Sequence, residues 1–206
     1  FQELWPVILK HKTPYKHVPI EKLNRITRKN HQGVIAFTSS VTFSNIEEIV
    51  ARCFENGEDP LILMLDRVTD VRNFGAICRT GVHAVVVPTR GSAPVNFDAL
   101  KTSAGALNHI AVCREEKLKE TITFLKNSGL KMIACTEKTD DLLYDTDLSG
   151  PACIIMGSEE DGVSPAYLEM CTASVKLPMK GKIGSLNVSV AAGALLYEVV
   201  RQRGNS

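Results

Sequence analysis

At 206 residues the chain has room for one large domain, or for one of about 150 residues and part of another. Its 44% hydrophobic content and near-zero mean hydropathy describe a globular protein, with no apolar run near the ~20 residues of a membrane-spanning helix. A net charge of +1 does not announce a nucleic-acid binder, yet residues 1–40 hold seven Lys/Arg against Glu3 and Glu21, a local +5, while residues 131–170 hold two lysines against nine acids, a local −7.

Residues 1–40 read as an incomplete unit. They offer a helix end at 1–11, a short strand at Lys16–Pro19, and "IEKLNRITRKNHQG" with Leu23 and Ile26 on one face, too little to bury a core. The Ser/Thr-rich "TSSVTFSN" at 38–45 reads as a linker that closes on a capping box, Ser44 with Glu47. A regular alternation follows. Helix 45–56, with Ile46, Ile49, Val50 and Cys53 on its apolar face, stops at Gly57 before strand 61–65; a helix near 73–80, strand 84–88, a helix near 97–107 and strand 110–113 come next. Helix 115–128 ends at Gly129, and strands 132–136 and 152–156, a short helix near 165–171, strand 174–177 and an apolar C-terminal helix complete the chain. Continuous apolar strands alternating with amphipathic helices specify an α/β fold, a mostly parallel sheet with helices on both faces.

Six cysteines, Cys53, Cys78, Cys113, Cys135, Cys153 and Cys171, stand singly with no C-x-x-C pair, and the five histidines make no metal-ligand spacing with them or with one another. No metal is expected, and thiols used as small core residues suit the reducing cytoplasm. No secretory leader is visible, although a chain starting at Phe1 leaves room for an upstream segment.

In a parallel sheet, ligands bind beyond the carboxyl ends of the strands. Three polar stretches leave strands at such ends: "DRVTDVRNFGAICRT", "GSEEDGVS" and "PMKGKIGSLNVS". No G-x-G-x-x-G follows the first of these strands and no G-x-x-x-x-G-K-[ST] occurs, so neither a dinucleotide fold nor a P-loop is supported. The carboxylates of "GSEEDG" would also repel phosphate; a ligand with positive charge, or none, fits better. In "KGKIGSLNVSVAAGALLYE" at 180–198, Ser185 or Asn187 is a candidate cap for the last helix. Two glycines, two lysines, two serines and an asparagine within ten positions exceed what one cap requires.

"LDRVTDVRNFGAICRT", "IIMGSEEDGVS" and "KLPMKGKIGSLNVSVAAGALLYE" resemble, in order and spacing, the three signature motifs of the SpoU/TrmH branch of the SPOUT methyltransferases. "TSAGAL" at 102–107 and "KLNRITRKNHQGVIA" at 22–36 resemble that family's ribosomal-RNA ribose methyltransferases, whose substrate-binding domain resembles ribosomal protein L30e. The resemblance implies S-adenosylmethionine as methyl donor and a ribose 2′-hydroxyl of RNA as acceptor, in ribosomal RNA rather than transfer RNA. It also implies a homodimer and a C-terminal trefoil knot, which no periodicity reveals. The chain then divides into the end of an L30e-like RNA-binding domain at 1–37, the linker at 38–45 and a methyltransferase domain at 46–206. A transfer-RNA ribose methylase and a catalytically silent RNA-binding relative are the alternatives.

Carried over residue by residue, the family's catalytic positions fall on Asn73, Arg79, Glu159, Ser185 and Asn187. Its cofactor contacts fall on Gly157, Leu177 and Leu186, mainly through backbone, with Ile155, Met156, Pro178, Met179 and Ser185 lining the same cup. Gly157, Gly181 and Gly184 are expected to admit close backbone approach. A guanidinium is not readily deprotonated, so Arg79 is expected to anchor RNA and steady a developing alkoxide rather than act as base. Each assignment has a plainer rival: Asn73 as a helix cap, Glu159 as a helix-start carboxylate, Arg79 as a surface arginine, the leucines as core. Arg25, Arg28 and Lys29 are the expected phosphate contacts of the basic end. One departure stands out: after "CRT" the family's helix usually continues, whereas Thr80 here runs straight into "GVHAVVVP".

Overall fold

The alternation of apolar and amphipathic segments resolves, in the computed structural model, into two compact units, Phe1–Thr38 and Ser39–Ser206. Residues 4–10, 15–36, 41–180 and 184–204 are described.

In the first unit, α1 (Leu4–Lys10) and α2 (Ile20–Ile26) bury no residue. Pro19 precedes α2, where its missing N–H costs nothing, and Thr27 ends the helix in extended backbone. The strand expected at Lys16–Pro19 does not form: residues 15–19 have no ladder partner among the described residues, and Pro19 lacks the donor a ladder needs. Arg25, Arg28 and Lys29 are exposed.

The second unit holds seven strands: β1 (Phe43–Ser44), β2 (Leu61–Leu65), β3 (Ala84–Pro88), β4 (Ala111–Glu115), β5 (Lys131–Cys135), β6 (Ala152–Met156) and β7 (Ala173–Val175). They form one sheet in the order β1-β4-β3-β2-β6-β5-β7, and every pairing is parallel. The continuous apolar runs are explained by burial on both sides. Leu61, Leu63 and Leu65 enter one core with Phe74, Ile77 and Leu195, and Ile62 and Met64 enter the other with Ile49, Ile122 and Leu125. The first core is covered by α4 (Val71–Ile77), α5 (Phe97–Thr102) and α8 (Val188–Gly204), the second by α3 (Ile46–Glu55), α6 (Leu118–Asn127) and α7 (Pro165–Leu168).

Three local expectations need correction. Strand β1 lies inside the stretch expected to be a linker, paired to β4 at the sheet edge, with the Arg114 guanidinium 5.4 Å from the Phe43 ring centroid. The cap of α3 is Asn45, whose side chain accepts from Glu47 and Glu48 N–H, and not Ser44, which is spent in β1. The helix near 97–107 stops at Thr102, because the chain turns through left-handed Ala104 and Gly105 into a 3₁₀ turn at Ala106–Asn108. The "TSAGAL" segment has a packing use: a Cβ on Gly75 would stand 2.5 Å from Thr102 Oγ1 and 2.9 Å from Ser103 N, so α4 seats directly against it. After α4 a 3₁₀ turn at Cys78–Thr80 ends on Gly81, whose φ of +66° stops the helix where "GVHAVVVP" begins.

At the amino ends of the strands, side chains bind backbone. Arg203 donates to the carbonyls of Asp59, Pro60 and Gly150, at 2.8, 3.3 and 2.5 Å. His83 Nδ1 accepts the Leu61 N–H at 2.9 Å, so Nε2 carries the proton and faces Glu58 at 3.4 Å. Cys53 completes a group of three ligand-type side chains within 4.8 Å that spacing did not reveal. With Nδ1 committed as acceptor, the neutral ring has no lone pair left on Nε2 for a metal. No helix among the described residues is long and apolar enough to cross a membrane.

Candidate active site

Four neighbouring strands, β2, β6, β5 and β7, present their carboxyl ends side by side, so the loops leaving them meet over one edge. A cavity of about 780 Å³ opens there. Its walls are Thr136 and Glu137 after β5, Gly157 to Glu160 after β6, Lys176 to Met179 and Gly184 to Leu186 after β7, and Val188 and Ala191 of α8. A second cavity of about 350 Å³ lies between Arg67, Thr69, Asp70 and Asn73 after β2 and the loop Ser158 to Asp161; Ser158, Glu159, Glu160 and Val188 line both.

Of the residues expected to form a cofactor cup, Met156, Gly157, Leu177, Pro178, Met179, Ser185 and Leu186 line the larger cavity. Ile155 does not: the strand's alternation turns it into the core beside Met64, fully buried. Leu177 also packs against the core, whereas Leu186 stays exposed. Gly157 has a clear requirement, since a Cβ there would fall 1.9 Å from Gly162 C and 2.1 Å from Val163 N. Gly184 meets nothing within 4 Å, and Gly181 lies outside the described residues.

Three of the five expected catalytic residues close a ring. Glu159 Oε1 accepts from Asn73 Nδ2 at 3.0 Å and from Asn187 Nδ2 at 2.7 Å, and Asn187 Nδ2 also donates to Asn73 Oδ1 at 3.0 Å. The amide orientation of Asn187 is fixed independently, because its Oδ1 accepts the Ser189 N–H at 3.0 Å. That bond caps α8, so one side chain serves the helix with its oxygen and the ring with its nitrogen. Asn73 does not cap α4; Asp70 does, accepting from Arg72 and Asn73 N–H at 2.8 and 2.9 Å. Glu159 stands in a turn and not at a helix start. Sequence separations of 86 and 114 residues are thereby brought together.

The other two expected residues stay outside the ring. Arg79 is exposed on the 3₁₀ turn and makes no hydrogen bond or ion pair among the described residues; Ser185 lines the larger cavity without capping α8. The wall formed by Cys135, Thr136 and Glu137 was missed, although "ACTEK" leaves β5 at the same edge as the other three stretches. Burial, with Glu137 nearby, pushes the Cys135 thiol up to about 11. It therefore stays protonated near neutrality and is a poor nucleophile toward an alkylating ligand in the cavity.

Residues 60–197 match the model of the SpoU rRNA methylase family, and residues 1–44 match a model described as RNA 2′-O ribose methyltransferase substrate binding. The putative TrmH family tRNA/rRNA methyltransferase YacO of Bacillus subtilis is 34% identical over 192 residues, 91% of this chain and 77% of that protein. The 23S rRNA (guanosine-2′-O-)-methyltransferase RlmB of Vibrio parahaemolyticus is 38% identical over 181 residues, 84% of this chain and 72% of its own. The crystal structure of the SpoU methyltransferase AviRb from Streptomyces viridochromogenes with AdoMet superposes with a TM-score of 0.71 at 29% identity, covering 80% of this chain and 67% of AviRb. A second crystal structure of AviRb superposes with a TM-score of 0.67 at 30% identity, and this chain spans 61% of that protein's length.

Proposed function

We propose, from the premise that the chain belongs to the SpoU methylase family, that it transfers a methyl group from S-adenosylmethionine to a ribose 2′-hydroxyl of RNA. The larger cavity suits that donor: its volume fits a nucleoside-sized ligand, and Glu137, Glu159 and Glu160 favour positive charge. Gly157, Leu177 and Leu186 would hold the cofactor, with Met156, Pro178, Met179 and Ser185 around it. When bound, it supplies an electrophilic methyl on a sulfonium. The chain's own groups must align the 2′-oxygen and take its proton.

The observation that carries this reading is the Asn73–Glu159–Asn187 ring, in which Glu159 belongs to the wall shared by both cavities. With Oε1 held by two amides, Oε2 is the atom that accepts the hydroxyl proton from a ribose in the smaller cavity. Arg79, an exposed permanent cation that lines neither cavity, takes its role from the family's pattern alone: to anchor RNA and stabilise the developing alkoxide.

The substrate-binding model over residues 1–44 and the 23S rRNA relative favour ribosomal RNA. We read residues 1–37 as the end of an L30e-like domain whose Arg25, Arg28 and Lys29 track phosphates, 38–45 as the linker and 46–206 as the catalytic domain. A homodimer is supported by α8, where Val190, Tyr197 and Val200 stay 55%, 68% and 53% exposed. The knotted C-terminal passage is carried over from the family alone. Six free cysteines agree with a reducing cytoplasm.

The test is transfer of labelled methyl to total RNA from cells lacking the gene, with mass-spectrometric mapping of the product. A 2′-O-methyl in ribosomal RNA is expected. Label found in transfer RNA selects the alternative substrate, and S-adenosylhomocysteine binding without transfer to any RNA selects the silent relative.

A further inference from the structure

Glu159 rides on a turn that two residues outside the ring hold in place. Asp66, directly after β2, is 2% exposed; its N–H donates to the Met156 carbonyl at 2.8 Å, and its Oδ2 accepts from Ser164 N and Oγ at 2.7 and 2.6 Å. Arg67 follows with φ +59°, a left-handed conformation uncommon for a long side chain. From that backbone its guanidinium reaches three acceptors: Asp66 Oδ1 at 3.2 Å, Asp161 Oδ2 at 2.7 Å and the Gly162 carbonyl at 3.2 Å. Asp161 and Gly162 in turn donate their N–H groups to Ser158 Oγ and Ser158 O, at 3.1 and 3.0 Å, closing the turn that carries Glu159.

A glycine would adopt this backbone at lower cost, so what arginine adds is the fork. A phosphate-binding role for Arg67 is disfavoured by its surroundings. Asp66 and Asp161 already compensate its charge, and Asp70, Glu159 and Glu160 share the walls of the small cavity it lines. Residues held in sparsely populated backbone regions persist where their surroundings over-determine them, often beside reacting groups.

We propose that Arg67 is a positioning residue: its guanidinium fixes the 158–162 turn so that Glu159 stands where the amides of Asn73 and Asn187 hold it. The role rests on the reading of Glu159 as proton acceptor given above. Removing the fork frees the turn, spreads Glu159 over several positions and lowers the rate of the chemical step, while both substrates still bind.

Arg67→Gly is the informative variant, because glycine accepts φ +59° and the fold is retained. Amide hydrogen exchange at Asp161, Gly162 and Ser164 is expected to quicken about tenfold. Unchanged exchange there overturns the proposal whatever the enzyme does. In single-turnover methyl transfer to total RNA from cells lacking the gene, kcat is expected to fall about 10- to 100-fold, with KM for S-adenosylmethionine and RNA within about threefold. Arg67→Lys, which keeps one contact to Asp161, should recover only part. In a Glu159→Gln background the Arg67→Gly loss should vanish, since a residue acting through Glu159 has nothing left to position. Additive losses, or a defect confined to KM for RNA, overturn the proposal in favour of a direct RNA contact. Absence of transfer by the wild-type protein refutes the methyltransferase reading instead, and the exchange measurement then decides the role of Arg67 alone.

Discussion

At the amino edge of the sheet, Arg203 ends on three carbonyls, His83 on a backbone N–H, and Gln202 on Thr146 O and Leu148 N. At the carboxyl edge, Asn73, Glu159 and Asn187 bond to one another, exposed or half-buried, from the first turn of α4, the turn after β6 and the cap of α8. The same kinds of polar group thus do opposite work. Bonds that end on backbone close the fold and leave nothing to react with. Bonds among side chains orient groups and leave Glu159 Oε2 for a ligand. A change at the amino edge should therefore register in stability, and one at the carboxyl edge in binding and rate.

Arg79→Ala should give the largest effect on rate. Losing a cation that acts on developing charge is expected to lower turnover by roughly 10²–10³, by analogy with lost oxyanion donors, while S-adenosylhomocysteine affinity measured by calorimetry stays the same. Arg79→Lys keeps the charge without the planar fork and should rescue little. Turnover near the wild-type level would return Arg79 to an ordinary surface arginine and leave Glu159 as the group to examine.

Glycines at the two edges sharpen the contrast. A Cβ on Gly157 meets Gly162 backbone at 1.9 Å, so Gly157→Ala must displace the turn, and S-adenosylhomocysteine affinity should fall by roughly 10²-fold. Gly150 has φ +71° and open space around its Cβ position, so Gly150→Ala should cost about 1 kcal/mol of stability and leave affinity unchanged. Equal affinity losses in the two variants would erase the distinction.

Legibility followed how locally each feature is encoded. Strands β2, β3 and β6 lie where "LILML", "AVVVP" and "ACIIM" put them, because burial on both faces leaves an unbroken apolar signature. Strand β1 was hidden, since two residues on a sheet edge carry no period and Ser/Thr content suggested a linker. Ser44 and Asn45 are equally good caps by residue type, and only the pairing of Ser44 with β4 leaves the role to Asn45. The ring's members were nameable from motifs, but their mutual bonds, and the clamp by Asp66 and Arg67, depend on strand order, which no sequence window contains. That Ile155 lies in the core and not on the cavity wall is illegible for a related reason: a run buried on both faces does not say which residue faces the cavity.

Arg203→Ala tests the amino edge directly. Its guanidinium is buried enough that desolvation pushes its pKa down, and three carbonyls depend on it. Truncation should cost about 2 kcal/mol in denaturant unfolding, since bonds from a charged donor are worth ~1.5–3 kcal/mol and water replaces part of what is lost. Cofactor affinity should not change. A variant of wild-type stability would mean that the apolar face of α8 and the bonds of Gln202 secure the helix without Arg203.

The smallest expected effect concerns acid. Glu198, buried on α8, accepts two bonds from Arg201, at 2.8 and 2.7 Å, and one from Gln202 at 2.9 Å. The hydrogen bond from Arg201 first, and that from Gln202 second, hold its carboxyl down to about 2 from an ordinary 4.5. A depressed folded-state pKa means that the unfolded chain binds the proton first. The stabilisation is complete above about pH 4.5 and drains away as pH falls toward 2, because the proton then competes with Arg201 and Gln202 for the carboxylate. Asp147, held below the usual carboxylate range by Lys131 and then Ser149, draws on the same window from the same edge. Glu198→Gln should thus flatten the wild-type fall of Tm between pH 5 and 2.5 by about 2–4 °C, and Asp147 should keep the remaining slope from vanishing. Arg79→Ala, which removes no ion pair or hydrogen bond among the described residues, should follow the wild-type curve. Parallel curves for Glu198→Gln and wild type would show that the carboxylate does not hold Gln202 in place, leaving the bonds of Gln202 to Thr146 and Leu148 to close that edge unaided.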